Sequence, residues 1–122
     1  MRILLADDQP RIRFALRALL VQQPGLAVVG EAADAAELLA LARECCPDLV
    51  LLGWGLRGLP AAELVPALQS VCPHAYLIAL SSRLEVRRTA LAAGADAFVS
   101  KMDPPGQLLR AVANCQHQAG YE

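Results

Sequence analysis

Two adjacent carboxylates, Asp7 and Asp8, close a short apolar run, Ile3-Leu4-Leu5-Ala6, near the start of the chain. The single lysine, Lys101, closes another, Ala97-Phe98-Val99-Ser100, in a chain that otherwise uses ten arginines. Paired acids at a strand end are part of an all-oxygen site suited to Mg²⁺, which a third carboxylate from a neighbouring strand completes. Such a metal neutralises an incoming phosphoryl group, a lysine ammonium shares that charge, and a Ser or Thr hydroxyl can hydrogen-bond the new oxygens. Ser81, after Leu77-Ile78-Ala79-Leu80, offers that hydroxyl. The third carboxylate is missing. The run Leu49-Val50-Leu51-Leu52 ends in Gly53-Trp54-Gly55, and no Asp, Glu, His, Ser or Thr occurs between Asp48 and Glu63. Asp48 lies five residues before Gly53, roughly 16 Å along an extended strand, at the opposite end of any sheet they share.

The elements that must position these groups alternate along the chain. Strand-like runs sit near 2–6, 26–31, 48–53, 75–80 and 96–100, and helix-like segments near 10–22, 34–46, 61–70, 84–93 and 104–117. Strands alternating with helices of this length argue for parallel β-α-β units. Runs such as Leu49 to Leu52 read as central strands buried on both faces. Asp34 with Glu37 predicts a capping box at the second helix, and Asp103 followed by Pro104 predicts the start of the last. Gly94 predicts a left-handed stop to the fourth helix. Five such units predict an α/β fold, a doubly wound sheet of five parallel strands in the flavodoxin-like order 2-1-3-4-5. Ligand chemistry then belongs outside the carboxyl ends of strands 1, 3 and 4, where Asp7, Asp8, Gly53, Gly55 and Ser81 fall.

A strand ending in paired acids, a strand ending in a lysine and a serine between them resemble the receiver domain of bacterial two-component response regulators. The likeness runs over nearly all of residues 1–117. Val28-Val29-Gly30-Glu31-Ala32 and the turn from Lys101 to Pro104 resemble receivers that carry a helix-turn-helix output domain. The resemblance implies that Asp7 and Asp8 are the acidic pair, Ser81 the switch hydroxyl, Phe98 the switch aromatic and Lys101 the phosphate-contacting lysine. It places Gly53 at the phosphoacceptor aspartate and Gly55 where a backbone carbonyl reaches the metal. Gly53 can neither accept a phosphoryl group nor bind a metal through a side chain. Arg57 stands where the family usually has a proline. Lys101, deprived of a partner, is expected to pair with Asp7 or Asp8, with Arg57 or Trp54 as a second filler of the vacancy. A metal is expected to bind weakly or not at all, through Asp7, Asp8 and Gly55, so no cofactor is expected.

Composition agrees with a small α/β domain. A chain of 122 residues is one domain, read as 1–117 followed by a polar tail at 118–122. No apolar run approaches the ~20 residues that cross a bilayer, so no membrane is expected and a cytoplasmic location is the default. A net charge of −1 without clustered Lys/Arg speaks against nucleic-acid binding by this domain. Cys45, Cys46, Cys72 and Cys115 lack C-x-x-C spacing and read as small buried hydrophobes. No nucleophile–base pair is visible, so an enzyme is not expected.

The expected function is an atypical receiver, a pseudo-receiver of two-component or phosphorelay signal transduction. It would act as a phosphorylation-independent interaction or dimerisation module and as the N-terminal part of a transcriptional regulator. The alternative is a ligand-gated regulator that binds a small anion or metabolite near Lys101 and Arg57. The resemblance implies partners or a homodimer mate at the fourth helix, fifth strand and fifth helix (Glu85, Arg87, Arg88, Asp96), or at the first and fifth helices (Arg13, Arg17, Arg110).

Overall fold

A computed structural model of the chain, described over residues 1–118, resolves the alternation into five strands and five helices. In chain order these are β1 (Arg2–Ala6), α1 (Pro10–Leu20), β2 (Ala27–Ala32), α2 (Ala35–Cys45) and β3 (Leu49–Gly53). There follow α3 (Ala61–Val71), β4 (Tyr76–Ser81), α4 (Val86–Ala93), β5 (Ala97–Ser100) and α5 (Pro105–Gln118). Every strand pairing is parallel, and the order is β2-β1-β3-β4-β5. The flavodoxin-like sheet expected above is the one observed.

The sheet is apolar on both faces because helices cover both. Leu4, Ala6, Val50, Leu52, Leu77 and Ala79 point to the side packed by α2, α3 and α4. Ile3, Leu5, Leu49, Leu51, Ile78, Leu80 and Val99 point to the side packed by α1 and α5 through Leu20, Leu108 and Val112. Consecutive strand residues face opposite ways, so the central strands are continuous hydrophobic runs without alternation.

Local signals hold at most boundaries. The Asp34 carboxylate accepts from the Glu37 amide at 2.9 Å, while the Glu37 carboxylate reaches back to the Ala33 amide at 3.0 Å. Gly94 ends α4 with φ +119, and a side chain there would meet Gln69 and Val65. The start of α5 differs from expectation. Helix α5 begins at Pro105, and the Asp103 carboxylate instead accepts from the Ser100 amide at 3.2 Å. The last β5 amide is a donor the sheet does not use, and a carboxylate three residues on competes for it. Helix α1 is two residues shorter than the expected 10–22, α4 starts at Val86, and α3 carries Pro66 in its interior with an exposed ring. Helix α5 runs to Gln118, the first residue of the stretch read as a tail, whose remainder lies outside the described residues.

Candidate functional site

Just past the strands, the carboxyl end of β1 is tied to β2, and those of β3 and β5 are tied to β4. Asp7 donates its amide to the Ala32 carbonyl at 3.1 Å, Trp54 to Leu80 at 2.7 Å, and Lys101 to Ser81 at 3.0 Å. Each residue that follows a strand is thereby fixed by backbone hydrogen bonds, and the side chains of Asp7 and Lys101 are delivered to one edge.

There the two meet directly. Lys101 Nζ lies 2.6 Å from Asp7 Oδ2, with Asp7 only 1% exposed and the Lys101 side chain 19% exposed. The other Asp7 oxygen, Oδ1, accepts from the Gln9 amide at 2.9 Å. The Lys101 ammonium is the sole compensation for Oδ2, which meets no donor in hydrogen-bonding geometry among the described residues. The Arg13 guanidinium donates to the Asp7 carbonyl and also faces Glu31 at 3.5 Å, with Arg17 beside it on the same carboxylate. Arg13, expected above only as an interface charge, also positions Asp7. Its role depends on how α1 lies over β1 and β2, which no local pattern carries.

Gly53 explains why Asp7 can lie where it does. A Cβ at position 53 would stand 2.3 Å from Asp7 Oδ2 and 2.9 Å from its Cγ. Real Cβ atoms do not make such contacts, so the Asp7 carboxylate occupies the space that any side chain on β3 would take. Asp8 is half-buried and next to this pair, while Ser81 is buried with its hydroxyl accepting from the Arg83 amide at 3.1 Å. Phe98 is half-buried against the core beneath α2, α3 and α4. Gly55 is exposed with φ +91, a conformation in which its missing side chain matters and its surroundings do not.

Of the two further fillers considered, neither enters the vacancy. Arg57 is exposed and contributes its backbone carbonyl to the Ala35 amide at 2.7 Å. Trp54 is half-buried and packs on the α2–α3 side of the core. The space is instead taken by the Asp7 carboxylate, a short side chain with Lys101 beside it. The donor set does not suit Mg²⁺: Asp7 is committed to Lys101 and Gln9, and no group of three His, Cys, Asp or Glu side chains gathers among the described residues.

A profile of the response regulator receiver domain matches residues 3–113. The chain belongs to that family. This receiver is similar to the nitrate/nitrite response regulator protein NarL of Escherichia coli, 34% identical over 96% of the chain and 53% of NarL. Among solved structures it is similar to a two-component response regulator of the LuxR family from Aurantimonas, 34% identical with a TM-score of 0.82, covering 99% of this chain and 86% of that one. The isolated receiver of RcsB from Salmonella enterica serovar Typhimurium has the same fold, with a TM-score of 0.87 at 23% identity, covering 100% of this chain and 91% of that one. The receiver spans about half the length of the curated relatives it matches, 54% and 53% for two of them.

Two surfaces of the receiver are open. On α4 and the turn before it, Leu84, Arg87, Arg88 and Leu91 follow helical spacing and are exposed, with Leu84 at 67%. Glu85 beside them pairs with Arg83 at 3.0 Å. A hydrogen bond with its own backbone, and then the Arg83 guanidinium, hold the Glu85 carboxyl below the usual range. Asp96 is not a loose surface charge, since its carboxylate accepts from the Leu77 amide at 2.8 Å at the start of β4. Between α1 and α5 a groove of about 210 Å³ is lined by Ile12, Leu16, Leu19, Val99 and Leu108, with Lys101 at one end. Arg13 and Arg17 on α1 pair with Glu31 of β2, and Arg110 is exposed. No helix among the described residues is long and apolar enough to cross a membrane.

Proposed function

We propose that this receiver works without aspartyl phosphorylation, as an interaction or dimerisation module of a two-component pathway. The observation that carries the reading is the Asp7 carboxylate lying 2.6 Å from Lys101 in the space that a β3 side chain would fill. In a receiver that switches, phosphoryl oxygens would supply the anion that Lys101 and the Ser81 hydroxyl meet. Here a carboxylate of the protein already meets Lys101, and Gly53 offers no acceptor oxygen. The Gln9 amide and the Arg13 guanidinium hold Asp7 in place from both sides. The pocket therefore rests in one state, and the surfaces it would otherwise control are presented constantly.

The surface favoured for a protein partner or second copy is the α4 face. Arg87 and Arg88 make no ion pair among the described residues, and the exposed Leu84 and Leu91 supply apolar anchors between them. The domain is not an enzyme in this reading, binds Mg²⁺ weakly at most, and does not itself contact DNA or membrane. As curated relatives are about twice as long and include a nitrate/nitrite response regulator, the reading extends to a cytoplasmic transcriptional regulator of which this is the N-terminal part. The ligand-gated alternative has no supporting observation, with Asp7 in the vacancy and Arg57 exposed.

The test is a backbone amide NMR spectrum of the chain with and without an acyl-phosphate donor and Mg²⁺. No resonance from Ser81 through Lys101 is expected to move. Donor-dependent shifts across β4, α4 and β5 would sink the proposal.

A further inference from the structure

The ends of α2 and α3 lie at the edge of the sheet opposite the Asp7–Lys101 pair, and each ends on a cysteine. Cys46 caps α2 and Cys72 caps α3. Both turn to a single backbone atom. The Ala42 carbonyl accepts from the Cys46 amide at 3.1 Å and from the Cys72 thiol at 3.3 Å. The Cys46 nitrogen and the Cys72 sulfur are therefore separated by no more than those two distances laid end to end. The neighbourhood is also electrical: burial first, and then the nearness of Cys46, push the Cys72 thiol above its ordinary range.

The two thiols differ in access. Cys72 is buried in the core beneath α2 and α3, whereas Cys46 is exposed with its sulfur turned back toward the Arg43 carbonyl at 3.9 Å. Cys46 also has φ +45, the single non-glycine left-handed residue among the described residues, at a helix end where glycine or asparagine is the usual choice. The exposed Cys46 side chain is free to change rotamer about χ1. Cys45 is half-buried with its carbonyl taken by the Arg2 guanidinium, and Cys115 is in the core on the other face of the sheet.

We propose that Cys46 and Cys72 form a reversible disulfide when the chain meets hydrogen peroxide, giving this domain a redox input. The exposed Cys46 sulfur attacks peroxide, its S–H proton is lost and the O–O bond breaks, leaving a sulfenic acid and one water. The Cys72 sulfur then attacks the Cys46 sulfur, the S–O bond breaks, and a second water leaves with the thiol proton of Cys72. Two thiols are oxidised by two electrons in all, and one peroxide is reduced to two waters. Burial of the Cys72 thiol lowers its thiolate fraction, so the second step is expected to be faster in mild alkali. The product ties the C-terminal ends of α2 and α3 together, far from the pocket, and so does not depend on phosphorylation.

The experiment treats the fully reduced chain, folded in buffer, with hydrogen peroxide, blocks remaining thiols, and reads intact mass and disulfide-linked peptides. The expected result is a loss of about 2 Da from the unblocked pair, two hydrogens, a linked peptide joining Cys46 to Cys72, and full reversal by dithiothreitol. Cys46→Ser, at an exposed position, abolishes the linkage, and Cys45→Ser and Cys115→Ala keep it. Oxygen addition without mass loss, a linkage through Cys45 or Cys115, or a disulfide between two chains would each overturn the proposal. Because peptide mapping is done on the native chain, the result stands even if a Cys72 variant fails to fold.

Discussion

Replacing Gly53 with alanine puts a Cβ 2.3 Å from Asp7 Oδ2 and 2.9 Å from Asp7 Cγ, so the carboxylate has to leave. Its departure removes the contact with Lys101 and the hydrogen bond from the Gln9 amide. A charge-assisted interaction of this kind is worth about 1.5–3 kcal/mol when partly buried. Gly53 is not among the positive-φ glycines, so alanine itself fits the backbone and by restricting the unfolded chain contributes about 0.4–1 kcal/mol of stability. The difference leaves Gly53→Ala destabilised by about 1–2 kcal/mol. In an Asp7→Ala background the collision is absent, and the same Gly53→Ala change is expected to stabilise by about 0.4–1 kcal/mol. Urea unfolding of the four chains measures the coupling between the two sites, expected at about 1.5–3 kcal/mol, as a change in midpoint at constant slope. If Gly53→Ala stabilises the native chain, or the two changes add, Asp7 does not occupy the space over Gly53 and the reasoning fails.

Lys101→Met leaves the buried Asp7 carboxylate without a counter-charge and is expected to cost about 3 kcal/mol by urea unfolding, with Asp7→Asn in the same chain recovering most of it. Gly94→Ala forces a side chain into φ +119 and against Gln69, so a loss of about 1 kcal/mol or more in thermal or chemical unfolding is expected. Burial, and then the Asp96 carboxylate, lift the Cys115 thiol from 9.0 to about 11. The unfolded thiol ionises first, so native stability is expected to fall as pH rises from about 9 towards 11, and a Cys115→Ala chain should show a shallower fall in unfolding midpoint over that window.

Much of the fold is legible because it depends on local pattern. Leu49 to Leu52 read as a buried strand from composition alone, and the Asp34–Glu37 cap from spacing alone. The start of α5 is misread because the Ser100 amide competes for the Asp103 carboxylate, and that donor is visible only once β5 is known to end there. At the site, the residue types and their strand ends are in the sequence, but the posture of Asp7 is not. It depends on the register that sets Ala6 beside Leu52, and hence Asp7 beside Gly53, and on the absence of a single Cβ. The pairing of Arg13 and Arg17 with Glu31 likewise needs α1 laid over β2. The closeness of Cys46 and Cys72 comes from two helices ending side by side, which no spacing of the four cysteines encodes.

The most direct measurement is intact mass of the native chain after incubation with Mg²⁺ and an acyl-phosphate donor, with a phosphorylatable receiver as the positive control. The mass of the native chain is expected to stay unchanged while the control gains a phosphoryl group. A phosphoryl group on the native chain, mapped to Asp7, Asp8 or any other residue, would contradict the proposed function.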